Sequence, residues 1–135
     1  MEFPADSDTV AEALQPVLRR SFLQRIPKHP ERRDVLLALV SAGLQRRKMY
    51  TEVEINTYLG ERLAVMRAQV DHVTLRRYMV DCGFVKRDRA GNRYILNYPK
   101  LEETLSSEAR EAASALIAAA LESGERRHRA TKPRL

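Results

Sequence analysis

Apolar residues along the chain fall mostly at steps of three and four, the mark of helices with one buried face. Val10, Leu14, Val17, Leu18 and Phe22 form the first stripe. Thr9 and Glu12 stand at capping-box spacing before it, and Pro16 is a kink point inside it. Ile26-Pro27-Lys28-His29-Pro30 interrupts the pattern. Pro30 suits a first helical turn, Val35, Leu36, Leu39 and Val40 carry the next stripe, and Gly43 is placed to cap it. Arg46-Arg47-Lys48-Met49-Tyr50 reads as a basic, extended link. A second capping box, Thr51 and Glu54, opens a helix marked by Val53, Ile55, Tyr58, Leu59 and Leu63, which Gly60 ends or bends. A further helix is predicted over 69–82, stopped by Gly83.

The period then changes. Residues 84–88 and 93–98 read as short strands around the turn residues Arg89-Ala90-Gly91-Asn92, and Pro99 closes the hairpin. From 101 to 123 the pattern is helical again, with Leu101, Leu105, Ala109, Ala112, Leu116 and Ala119 on one stripe and Gly124 as the stop. Helix, link, helix, helix, strand, turn, strand is the element order of a winged helix-turn-helix. In that architecture the third helix enters the major groove and the hairpin is the wing. The expected fold class is therefore mainly α with a small β-hairpin, a winged helix-turn-helix core with additional N- and C-terminal helices. The divisions expected are an N-terminal helical extension (1–25), the core (26–98), a C-terminal helix (99–124) and a basic disordered tail (125–135).

Charge sharpens this picture. The chain has 135 residues, with 24 Lys and Arg against 18 Asp and Glu, a net +6. Residues 19–48 hold nine cations and two anions, while 1–18 hold four anions and no cation. A basic centre between acidic flanks points to nucleic acid as the partner. At 44% hydrophobic and 31% charged the chain is neither disordered throughout nor fibrous. The longest uncharged apolar run, 35–45, is far too short to span a membrane, and the acidic opening has no apolar core of a signal peptide. A lone Cys82 forms no internal disulfide, so a cytoplasmic protein is expected.

The predicted helix over 69–82 carries the most specific chemistry. Leu75, Met79 and Cys82 share its packed face, where Cys82 is expected to be buried. Thr74 and Arg77 face away, with Arg76 and Val73 on the flank and His72 at the start. Arginine binds guanine bidentately and threonine meets base edges or a thymine methyl, although a merely solvated face would look the same. Lys86, Arg87, Arg89 and Arg93 crowd the hairpin with only Asp88 against them, which suits a wing lying on phosphate. Arg46, Arg47 and Lys48 form a third basic cluster. His29, His72 and His128 are scattered and show no metal-ligand spacing with Cys82. No nucleophile elbow, P-loop or dinucleotide fingerprint appears, so neither an enzyme nor a cofactor is expected.

Three motifs also resemble a known family. Lys48-Met49-Tyr50-Thr51-Glu52-Val53-Glu54-Ile55-Asn56 looks like the opening motif of the bacterial family labelled domain of unknown function 2087. Asp71-His72-Val73-Thr74-Leu75-Arg76-Arg77-Tyr78-Met79-Val80-Asp81 resembles its central signature. Gly83-Phe84-Val85-Lys86-Arg87-Asp88-Arg89-Ala90-Gly91-Asn92-Arg93-Tyr94 resembles its closing hairpin. The resemblance covers about 26–98. It implies similarity to winged-helix regulators, some members being fused to ArsR-type DNA-binding domains.

Together these readings give the functional expectation: a bacterial DNA-binding regulator of transcription, its partner double-stranded DNA and not a membrane. Leu105, Ala109, Ala112, Leu116 and Ala119 are expected to form a homodimer interface, or else to cover the chain's own core. A protein-interaction module on the same scaffold, or a binder of structured RNA, is the alternative.

Overall fold

The computed structural model describes residues 4–131, with side chains through residue 127. It is mainly helical, with one small three-stranded antiparallel sheet. Helix α1 (Ser7–Val17) begins two residues before Thr9, because Asp6 takes the cap: its carboxylate accepts from the Thr9 N–H at 2.8 Å. Pro16 falls in the last turn, where the helix is already ending. The chain then returns under the core, and Leu23 exchanges backbone hydrogen bonds with Met66 and Gln69, both at 2.9 Å. Leu14, Leu18 and Leu23 lie in the same buried cluster as the central residues, so the N-terminal segment is part of the core.

Helix α2 (Pro30–Ser41) is the hub, with every residue from Val35 to Ser41 buried. A helix buried on all sides has no single stripe, which is why the sequence pattern shows only half of its contacts. Gly43 follows its end but does not adopt the left-handed conformation of a cap. Its reason is space: a Cβ there would stand 2.6 Å from the Tyr58 hydroxyl oxygen. Tyr58 donates that hydroxyl to the Val40 carbonyl and so fastens the next helix to α2.

The basic link ends in a strand, β1 (Tyr50–Thr51), which periodicity over two residues does not reveal. Helix α3 (Glu52–Val65) starts at the predicted capping box and runs through Gly60 without ending. Helix α4 (His72–Asp81) starts at Asp71, which accepts from the Thr74 N–H at 2.8 Å. Strands β2 (Val85–Arg87) and β3 (Arg93–Leu96) form the expected hairpin. The sheet order is β1-β3-β2, and Tyr94 pairs with Tyr50 on one side and Arg87 on the other. Cys82 lies just past the end of α4 and is only partly buried, contrary to expectation. Burial still pushes its thiol up from the usual value.

The single C-terminal helix expected from 101 to 123 is three: α5 (Tyr98–Thr104), α6 (Ser107–Glu111) and α7 (Ala113–Thr131). The first break has a tertiary cause. Leu105 is extended, and Ala5 docks beside it, its N–H donating to Thr104 and its carbonyl accepting from Ser106, both at 2.9 Å. Ser106 then caps α6 by accepting from the Ala109 N–H at 3.1 Å. Gly124, the expected stop, lies buried inside α7 where that helix crosses the end of α1. The expected disordered tail is therefore helical from 125 to 131, and 132–135 lie outside the described residues. Among the described residues no helix is long and apolar enough to cross a membrane.

Candidate functional site

Helix α4 and the β2–β3 hairpin stand side by side and enclose an open groove of about 520 Å³. Val73, Arg76, Arg77, Val80 and Asp81 line it from the helix, Arg87, Asp88 and Tyr94 from the hairpin, so three guanidiniums face two carboxylates. Its position follows from the local sequence. Leu75 and Met79 are fully buried and turn the opposite side of α4, Val73 and Arg77, to solvent. Val73 is 51% exposed. The sequence reading placed it on the flank and did not count it among the functional residues.

The hairpin is ordered by its own backbone. Asp88 accepts from the Asn92 N–H through its carboxylate (2.8 Å) and from the Gly91 N–H through its carbonyl (3.0 Å). The Asp88 N–H donates to Arg93 at 3.0 Å. Gly91 has φ of +73°, a conformation that side chains with a Cβ disfavour. Asp88, the one anion among the hairpin's cations, is thus the residue that builds the turn. Lys86, Arg87, Arg89 and Arg93 project from this rigid frame, all exposed. Among the described residues, none of these four and not Arg77 has an ion-pair partner.

Several other residues expected to share the work are engaged elsewhere. The Arg76 guanidinium donates to Asn56 Oδ1 at 2.6 Å, pairs with Glu52 at 3.5 Å and lies 5.4 Å from the Tyr94 ring centroid. Its side chain is only 17% exposed. Arg76 therefore ties α4 to α3 and the sheet, and forms a wall of the groove. The signal that could have shown this is the polar pair Glu52 and Asn56, one turn apart on α3. Lys48 pairs with Glu54 at 3.4 Å and sits 4.6 Å from the Tyr50 ring centroid. Arg46 stacks 4.0 Å from the Tyr98 ring centroid. Arg47 is exposed on the link, with φ of +69°. His72 and Thr74, in the first turn of α4, are each half-buried. There the Thr74 N–H, with its side chain, holds the Asp71 carboxyl below its usual range.

The residues expected at a dimer interface divide. Leu105 and Ala109 are buried in the chain's own core, Ala112 and Leu116 are half-buried, and Ala119 is exposed. The inward face of the C-terminal region is Ala109, Ala113 and Ile117, and α7 packs on α1 and α2.

What the groove can do chemically follows from its cations. Guanidiniums with no ion-pair partner bind anionic oxygens in a fork, and the exposed Val73 on the same groove wall offers apolar contact. Among the described residues no cluster of His, Cys, Asp or Glu is suited to hold a metal ion. A family model described as "uncharacterized protein conserved in bacteria", domain of unknown function 2087, matches residues 22–96. Neither a curated protein nor a solved structure matches the chain.

Proposed function

The chain belongs to this bacterial family, and we propose that its matched region is a winged helix that binds double-stranded DNA and regulates transcription in the cytoplasm. The element order α2-β1-α3-α4-β2-β3, with β1 pairing onto β3, supports the winged-helix reading. Helix α4 would then lie in the major groove and the hairpin along the phosphates. The observation that carries the proposal is that five exposed cations are clustered on α4 and the adjoining hairpin. Arg46, Lys48 and Arg76 are engaged within the chain. Arg77, Lys86, Arg87, Arg89 and Arg93 have no ion-pair partner among the described residues; Arg77 and Arg87 line the groove, and Lys86, Arg89 and Arg93 stand elsewhere on the same hairpin. A protein that holds five unpaired cations on a helix and an ordered hairpin is already arranged for a polyanion.

In this reading Arg77 reaches base edges, Val73 and Thr74 meet the thymine methyl, and the hairpin cations contact phosphate. The protein acts by binding and needs no bound cofactor. The expected homodimer is not part of the proposal, because Leu105 and Ala109 are already used inside one chain.

The test is a fluorescence-anisotropy titration of a random duplex with wild type, Arg87→Ala, Arg89→Ala and Arg76→Ala. Arg87→Ala and Arg89→Ala should each weaken binding of every sequence alike. Arg76→Ala should act mainly by destabilising the fold. Equal affinity of wild type and both hairpin variants would remove the DNA reading and favour a protein partner. Tighter binding of duplex RNA than of duplex DNA would move the proposal to RNA.

A further inference from the structure

A second cavity lies on another side of the molecule and has no part in the groove just described. It holds about 300 Å³ between the end of α2, the end of β3 and helices α5 and α6. Its floor is apolar: Leu44, Leu96 and Leu101 are all buried. Tyr98 lines the same cavity, and two guanidiniums lie against its ring. Arg46 lies 4.0 Å from its ring centroid and Arg110 lies 5.7 Å away.

Two like charges against one phenol ring repel each other. Among the described residues neither has an ion-pair partner, and Glu111 is the one carboxylate on the cavity wall. Arg110 is nevertheless fixed in place, since it donates to the Leu105 carbonyl at 2.7 Å. An arginine held by one hydrogen bond keeps its other N–H groups in a set direction, so little freedom is lost when an anion arrives. Ser107 adds a hydroxyl to the same wall.

We propose that this cavity binds a small organic acid, a carboxylate carried on an apolar body. The carboxylate would lie between Arg46 and Arg110, and the apolar body on Leu44, Leu96 and Leu101. Ligand cavities span roughly 300–1,000 Å³ and combine apolar walls with a few placed polar groups, so this one suits a molecule at the small end. The apolar floor distinguishes it from a site for inorganic anions. The proposal stands apart from the DNA reading, because it concerns the chain alone.

The experiment follows leucine methyl resonances of the full chain during titration with benzoate and hexanoate, with benzamide and inorganic phosphate as controls. At least one of the two acids should shift the Leu44, Leu96 and Leu101 methyls saturably, at about 1 mM or below. Benzamide, which has the body without the charge, should bind roughly tenfold or more weakly, as should phosphate. Arg46→Gln is the deciding variant. Arg46 is exposed and, among the described residues, its side chain bonds no backbone group, so the variant should keep its fold and lose about tenfold in affinity. No saturable shift with either acid overturns the proposal. So does benzamide or phosphate binding as tightly as the acids, or unchanged affinity in Arg46→Gln.

Discussion

The crossing of α7 over α1 makes a prediction whose sign opposes the usual rule. Replacing glycine by alanine inside a helix ordinarily stabilises it by about 1 kcal/mol. At Gly124 the added Cβ would stand 2.3 Å from the Leu18 carbonyl oxygen, 2.8 Å from the Ser21 nitrogen and 3.0 Å from the Arg19 carbonyl oxygen. All three are backbone atoms. They belong to a turn fixed by the Ser21 N–H donating to Leu18 at 3.0 Å, with Ser21 at φ of +62°. No side-chain rotation relieves the clash, so α7 must move off α1. Overpacking of that kind costs up to about 3 kcal/mol, which leaves Gly124→Ala about 2 kcal/mol less stable after the helix gain. For 135 residues at roughly 2.1 cal/mol/K each, that is a fall in Tm of about 7 °C. Gly60, inside α3, has nothing within 4 Å of its would-be Cβ and is the matched control. Gly60→Ala should raise Tm by about 3 °C, as helix propensity alone dictates. Thermal unfolding of both variants against wild type decides the matter. Gly124→Ala melting at or above wild type would refute the close crossing.

Three further outcomes follow from single side chains. Burial pushes the Tyr58 phenol from 10.0 up to about 12. A folded-state value above the unfolded one means its contribution is complete below pH 10 and is lost as pH rises toward 12. Urea unfolding of wild type should weaken by up to about 2–3 kcal/mol across that window. Tyr58→Phe, itself about 1 kcal/mol less stable at neutral pH, should lose that part of the alkaline weakening; an unchanged profile would contradict the assignment. At acid pH the sign reverses for Asp71. The Thr74 backbone and side chain hold its carboxyl below the usual 3.8, so its contribution is present above that value and lost as pH falls through the folded one. Asp71→Asn should flatten the acid limb of the same titration. Arg76→Met should cost about 1.5–3 kcal/mol, since it leaves Asn56 and Glu52 without their charged partner. Arg77→Met, on the exposed side of the same helix, should be within about 0.5 kcal/mol of wild type.

Much of this was legible before the structure. The α3 capping box and the basic hairpin around Gly91 stand where the pattern put them, and α4 starts three residues later than the pattern put it, at its Asp71 cap; each depends on contacts within a few residues. Three ordered motifs also led to the family that the comparison confirms. What escaped depends on partners distant in the chain. Asp6 displaces Thr9 as the α1 cap, and Ala5 splits the C-terminal helix by bonding on both sides of Leu105. Gly43 and Gly124 read as helix stops, yet one makes room for Tyr58 and the other for the end of α1. The candidate site shows the same division. A sequence displays that an arginine is present but not what it touches, so Arg46, Lys48 and Arg76 looked equivalent to Arg77 until their partners were seen.

The central claim is that the cations without an ion-pair partner on α4 and the hairpin neutralise DNA phosphates. The most direct measurement is the salt dependence of wild-type binding to a duplex. Five such cations, Arg77, Lys86, Arg87, Arg89 and Arg93, are available among the described residues. Each phosphate neutralised contributes about −0.9 to the slope of log K against log salt, so the account predicts a slope of roughly −4 to −5. Arg89→Ala should reduce it by about one unit. A slope near zero, or no binding at low salt, would contradict the account.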